Sequence, residues 1–139
     1  MLLIESPHNE RFKKLLKLST DNKFRRQNKV FIIEGLKEIR AALEHNYELE
    51  EVYIDEKYKV AFPEKEFDQV PATMLKHDLF SRLVYREDAS YILAVLKEPI
   101  IDLTQIQLPE NPLIVIRENI EKPGNLGAVL RTCDAVGAD

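Results

Sequence analysis

Val30-Phe31-Ile32-Ile33-Glu34-Gly35-Leu36-Lys37-Glu38-Ile39-Arg40-Ala41-Ala42-Leu43-Glu44-His45-Asn46, followed shortly by Val52-Tyr53-Ile54, is the stretch that decides the fold class. Residues 30–33 form an uninterrupted apolar run rich in β-branched side chains, which reads as a strand. Gly35 ends it. Leu36, Ile39, Ala42 and Leu43 then recur at the spacing of one helical face, so an amphipathic helix is expected from Leu36 to about His45-Asn46. Residues 52–54 return to strand character. Strand, helix, strand in this order favours an α/β fold built on a mostly parallel sheet flanked by helices.

On the N-terminal side, Ser6-Pro7 reads as an N-cap and first helical residue. Phe12, Leu15, Leu16 and Leu18 carry the apolar face of a helix from about 7 to 19. Thr20 and Asp21 can cap a second short helix through about Gln27. On the C-terminal side, residues 55–71 are charged and contain Pro63 and Pro71, which predicts irregular backbone with one short strand near 67–70. Leu75, Leu79 and Leu83 stand four apart and predict a helix over 72–84. Residues 91–96, Tyr-Ile-Leu-Ala-Val-Leu, predict a buried strand.

The chain has 139 residues, 45% of them hydrophobic, which is enough apolar material for a core and too much for disorder. No apolar run approaches the roughly 18 to 20 residues of a membrane-spanning helix. The N-terminus lacks the basic and apolar regions of a signal peptide, so a soluble cytoplasmic protein without membrane partners is expected. Cys133 is the only cysteine, which excludes an internal disulfide and a cysteine-rich zinc site. His8, His45 and His77 share no metal-ligand spacing, and no metal is expected.

The net charge of −4 conceals an asymmetry. Residues 1–40 hold ten basic and five acidic side chains, net +5, whereas residues 41–139 hold ten and nineteen, net −9. Between positions 11 and 29, Arg11, Lys13, Lys14, Lys17, Lys23, Arg25, Arg26 and Lys29 are opposed by Asp21 alone. Such clustering suits either a surface that contacts phosphates or a solvated helix face.

Residues 97–112 contain Pro99, Pro109 and Pro112 and read as a connector, which gives domains at 1–98 and 112–139 with a linker at 99–111. Leu113-Ile114-Val115-Ile116 predicts a strand, 117–124 a loop, and about Asn125 to Val136 a helix with Gly137 as its C-terminal cap. Gly124 and Gly127 permit close backbone approach in this loop, and Asn125 is placed to cap the helix. A loop between a strand end and a helix start is where α/β folds bind ligands, with the helix N-terminus favouring negative charge. Glycine and asparagine are equally ordinary turn residues there. A lone strand and helix cannot bury both faces, so the chain reads as truncated.

The continuous stretch Glu118-Asn119-Ile120-Glu121-Lys122-Pro123-Gly124-Asn125-Leu126-Gly127-Ala128-Val129-Leu130-Arg131-Thr132-Cys133-Asp134-Ala135-Val136-Gly137-Ala138-Asp139 resembles the first motif of the SpoU-type (TrmH-like) RNA ribose methyltransferases of the SPOUT superfamily. Ser6-Pro7 with Asn9, the lysine-rich helix and Phe31-Ile32-Ile33-Glu34-Gly35 resemble that family's substrate-binding domain. The resemblance implies a small ribosomal-protein-like α/β RNA-binding domain, followed by the first strand and helix of a trefoil-knotted α/β catalytic domain. It implies transfer of a methyl group from S-adenosylmethionine to a ribose 2′-hydroxyl in rRNA or tRNA by a homodimeric parent protein. The cofactor-binding motifs lie downstream of the one present, so no cofactor-binding residue and no independent activity are expected of these 139 residues.

Residue by residue, the resemblance implies catalytic positions at Asn125, Arg131 and Glu118, with Gly124 and Gly127 shaping the turn. The local excess of basic residues assigns Lys13, Lys14, Lys17, Arg25 and Arg26 to the RNA, with Glu34 and Gly35 of the resembling segment beside them. A guanidinium stays protonated and cannot act as a base, so Arg131 would stabilise an alkoxide as it forms. The alternative reading of Arg131 is an ordinary i,i+3 partner of Asp134. Two other functional classes fit the same residues: a non-catalytic RNA-binding adaptor of ribosomal-protein type, and a nucleotide-binding module. The second lacks the lysine of a P-loop.

Overall fold

A computed structural model of the chain describes residues 1–84, 90–100, 102–119 and 123–139. They form two compact units, Met1–Pro99 and Ile100–Asp139. In the first unit, β1 (Leu2–Ile4) leads into helices α1 (Glu10–Thr20) and α2 (Asn22–Asn28). Next come β2 (Val30–Glu34), α3 (Leu36–Glu44) and β3 (Leu49–Asp55). Two 3₁₀ turns, Glu56–Ala61 and Glu64–Phe67, precede β4 (Ala72–Leu75), the short helix α4 (His77–Phe80) and β5 (Ile92–Lys97).

The five strands lie in the order β1-β4-β3-β5-β2. β1 pairs parallel with β4 and β4 with β3, while β5 runs antiparallel to both β3 and β2. Four strands therefore share one direction and β5 alone opposes them. The expected mostly parallel sheet is present in strand direction, but two of its four pairings are antiparallel, because β5 inserts between the two strands that flank α3. That position accounts for the continuous apolar character of β5. Leu93 and Val95 face a core layer with Phe12, Leu15, Leu18, Tyr53, Leu75 and Phe80. Ile92, Ala94 and Leu96 face the opposite layer with Ile39, Ala42, Val52, Ile54, Phe62 and Phe67. A strand buried on both faces has no polar alternation to show.

Several expectations need correction. The helix predicted over 72–84 is a strand followed by one helical turn. Thr73 pairs with Leu2 and Tyr53, and Met74 with Leu3 and Ile54, before α4 begins at His77. Leu75, Leu79 and Leu83 do enter one core layer together. Their spacing thus reported burial correctly, although periodicity over a short apolar run cannot separate strand from helix. β1 was not foreseen, and the strand expected near 67–70 is absent. Phe67 instead closes a 3₁₀ turn and stacks on Phe62 with ring centroids 5.4 Å apart. α1 starts at Glu10 rather than near residue 7. Asn9 Oδ1 accepts from the backbone N–H of Arg11 at 2.9 Å and of Phe12 at 3.4 Å, while Ser6 Oγ accepts from His8 N. Asp21 both ends α1 and caps α2 by accepting from Phe24 N at 3.0 Å. Gly35 stands before α3 at φ +104°, a conformation side chains rarely adopt.

The second unit contains a 3₁₀ turn (Leu103–Gln105) and α5 (Pro123–Val136). Asp102 caps the turn, and its carboxyl is held below the usual range by the Thr104 hydroxyl and backbone N–H it accepts. α5 starts two residues earlier than expected, with proline as its first residue, so Asn125 lies within the first turn and is not the cap. Gly137 ends the helix as expected. At φ +66° it donates to Asp134 O, and Ala138 N donates to Cys133 O at 2.9 Å, the paired bonds of a Schellman motif. Residues 113–116 belong to no strand among the described residues, contrary to expectation. They are exposed, Ile116 by 88%, because a strand forms only against a neighbouring ladder. Leu113 N and O instead bond the side chain and backbone N–H of Asp139, each at 3.0 Å.

Candidate nucleic-acid interface

The basic segment forms α1 and α2, whose apolar residues Phe12, Leu15 and Leu18 are buried against the sheet, while the cations stand on the outer faces. Those cations are not equivalent. Arg11 pairs with Glu51, which also accepts from Tyr53 Oη at 2.6 Å and from Thr73 Oγ1 at 3.2 Å. Lys13 pairs with Glu10 at 2.8 Å. Arg25 donates to the carbonyls of Leu18 at 2.5 Å and Ser19 at 3.0 Å and to the Asn22 side chain, so it ties α2 to the last turn of α1. Lys17 Nζ sits 4.3 Å from the Phe24 ring centroid and remains exposed. Lys14, Lys23, Arg26 and Lys29 are exposed and have no side-chain partner among the described residues.

Beside Lys14 lies a cleft of about 520 Å³, which Glu48, Glu50, Glu51 and Lys97 also line. Lys97 pairs with Glu48. Three carboxylates against two ammonium groups make this the wrong sign for phosphate, so the cationic surface is the exposed face of the helices, not the cleft.

Burial pushes the Tyr53 phenol above the ordinary tyrosine range, and its hydrogen bond to the Glu51 carboxylate pushes it further. The folded chain therefore keeps a proton that the unfolded chain releases above about pH 10. This contribution to stability is complete below that pH and falls as pH rises through it. Between about pH 8 and pH 11, wild-type stability should drop relative to Tyr53→Phe, as read from urea midpoints. A difference that stays constant would exclude it.

Glu34 and Gly35 lie at the other end of β2 from Lys29. At about 3.3 Å per residue the five-residue strand separates the two sets, so the anticipated RNA-contacting residues do not form one cluster. Gly35 belongs to the carboxyl edge of the four co-directional strands. On that edge Asp55, only 2% exposed, places Oδ2 2.7 Å from His77 Nδ1 and accepts from Lys57 N through Oδ1 at 3.0 Å. This grouping was invisible in the sequence, because residues 55–71 read as irregular and His77 fell inside an expected helix.

In the second unit, Arg131 reaches back along α5. A Cβ added at Gly127 would lie 3.5 Å from Arg131 Nη1, an ordinary van der Waals contact, so the guanidinium lies over this position. Arg131 forms no ion pair with Asp134 or any other described residue. Asn125 precedes it in the same helix, Gly124 has open space around its Cα, and Glu118 is exposed in the segment before the helix. A groove of about 300 Å³ runs beside Val115, Ala128, Val129, Thr132, Cys133 and Val136. It is apolar, and the Thr132 hydroxyl is already bonded to Ala128 O. Among the described residues no helix is long and apolar enough to cross a membrane.

A mixed five-stranded sheet covered on both faces, with a pair of cationic helices on one of them, defines the first unit as a small α/β binding domain. The chain belongs to the MRM3-like substrate-binding domain family, whose model matches residues 9–94. It is 30% identical over 139 residues to the 23S rRNA (guanosine(2553)-2′-O)-methyltransferase RlmP of Bacillus subtilis, covering 100% of this chain and 53% of that protein. Among solved structures it resembles an RNA 2′-O ribose methyltransferase at 33% identity and a TM-score of 0.76, covering 99% of this chain and 53% of the other. It also resembles the SpoU methyltransferase AviRb of Streptomyces viridochromogenes in complex with AdoMet, at 27% identity and a TM-score of 0.77, covering 94% and 51%. The resemblance to SpoU-type enzymes read from residues 118–139 and from the N-terminal segments is matched over the whole chain, which spans about half the length of these relatives.

Proposed function

We propose that this chain is the RNA-docking part of an S-adenosylmethionine-dependent ribose 2′-O-methyltransferase acting on ribosomal RNA. Residues 1–98 hold structured RNA, residues 99–111 act as the linker, and residues 112–139 contribute the first segment of the catalytic domain. The observation that carries this reading is the group of exposed cations without side-chain partners on α1 and α2, within a domain whose relatives methylate rRNA. In the catalytic segment Arg131 has no ion-pair partner among the described residues and is free to face a ribose oxygen. As a fixed cation it would stabilise the alkoxide and could not accept the proton.

S-adenosylmethionine does not fit the groove beside α5, whose lining offers no charged group for the cofactor's ammonium and carboxylate ends, so its site requires residues other than these. Binding of a structured 23S rRNA segment, measured by filter retention from low to high salt, tests the docking role. Affinity should fall steeply and linearly on logarithmic axes, with one unit of slope for about each phosphate contacted. An affinity indifferent to salt would refute the docking role.

A further inference from the structure

The carboxyl edge of the sheet carries a surface that the helical face does not account for. The 3₁₀ turn Glu56–Ala61 holds Lys57, Tyr58, Lys59 and Val60, all exposed. The Tyr58 ring stacks on Tyr91 with centroids 5.5 Å apart and planes inclined by 27°. Tyr91 belongs to the core margin beside Ile92 and donates its hydroxyl to Ala61 O at 3.4 Å. One face of Tyr58 is thus backed by a fixed ring, yet the residue remains 47% exposed. Lys57 and Lys59, on either side of it, have no side-chain partner among the described residues. The turn is anchored from below, since buried Asp55 accepts from Lys57 N and binds His77, whose own N–H reaches Glu56 at 3.4 Å.

An exposed aromatic face backed by a second ring, with an unpartnered lysine one residue before and one residue after it in the chain, is the chemistry that receives an unpaired nucleotide, with the base on the ring and the adjoining phosphates on the lysines. A fully paired helix keeps its base faces covered and cannot use such a platform. We propose that Tyr58, Lys57 and Lys59 form a subsite for an unpaired RNA nucleotide, separate from the cationic face of α1 and α2. This rests on the RNA-docking reading and adds the substrate class, namely RNA with an exposed loop or bulge base.

The test compares a stem–loop RNA with a blunt duplex of the same stem by fluorescence anisotropy on the 139-residue chain. Tyr58→Leu should weaken stem–loop binding about 10- to 100-fold, the range for losing one stacked base, and leave duplex binding unchanged. Tyr58→Trp should keep stem–loop affinity, because a larger ring still stacks. Lys57→Ala with Lys59→Ala should lower the salt slope for the stem–loop by about one to two units. Stem–loop affinity unchanged in Tyr58→Leu, or an equal loss on both RNAs, overturns the subsite while duplex binding by the wild type upholds the docking role. A wild-type chain that binds neither RNA overturns both.

Discussion

With Lys14, Lys17 and Arg26 replaced together by alanine, the chain should lose about 10²- to 10³-fold of its affinity for structured RNA at about 0.1 M salt. Each phosphate contact releases roughly 0.9 of a counterion, which at that salt is worth close to one order of magnitude. The logarithmic salt slope should shrink by between two and three units. These three are chosen because their side chains are exposed and carry no ion pair. Lys13 is partly neutralised by Glu10, and Arg25 is engaged with helix carbonyls. Arg25→Ala is the informative contrast. It should cost about 1.5 to 3 kcal/mol of stability, as charged hydrogen bonds to the backbone are lost, and leave the salt slope nearly as it was. If Arg25→Ala flattens the slope and the triple variant does not, the phosphate-contacting set has been misassigned.

In the full-length methyltransferase proposed above, Arg131→Ala should lower kcat by about 10² to 10³-fold with RNA and cofactor affinities nearly intact. Negative charge on the ribose oxygen develops only as the proton leaves, so a cation there acts on the transition state more than on the bound substrate. The loss of one oxyanion-stabilising donor sets the magnitude. Arg131→Lys separates two versions of the role. A lysine that reaches the oxygen restores part of the rate if point charge suffices, and remains as poor as alanine if the planar fork is required. Single-turnover kinetics distinguish this pattern from a phosphate clamp, which would raise the RNA dissociation constant and spare kcat.

The sequence was most legible where local chemistry decides conformation. Gly35 at φ +104°, Asp21 capping α2 and Gly137 ending α5 all stand where turn and capping chemistry places them. β5 was legible because five consecutive apolar residues, Ile92 to Leu96, form an unbroken run that calls for burial on both faces. The misread segment 72–84 failed for a tertiary reason: Ala72–Leu75 is a strand only because β1 and β3 lie on either side of it. The basic face was visible in composition, but which of its cations are free depends on Glu10, Glu51 and the carbonyls of Leu18 and Ser19, whose positions no spacing rule supplies. Asp55 and His77 are separated by 21 intervening residues in sequence and joined by the adjacency of β3 and β4, which only the sheet order provides.

The placement of β5 also governs when this domain can exist during synthesis. Val30 finds its partner in Lys97 and Glu34 in Leu93, so β2 has no neighbour in the sheet until the last strand of the unit has left the ribosome. β3 meanwhile has β4 on one side and bare backbone groups on the other. A nascent chain halted before Ile92 would leave β2 without a strand partner, strip both core layers of their β5 side chains and expose an unpaired edge in the middle of the future sheet. Such edges are templates for pairing with other chains. Closure across so long a loop is also slow relative to local structure. Emergence of β5 through Lys97 is thus the event that gives β2 its partner and closes the open edge of β3.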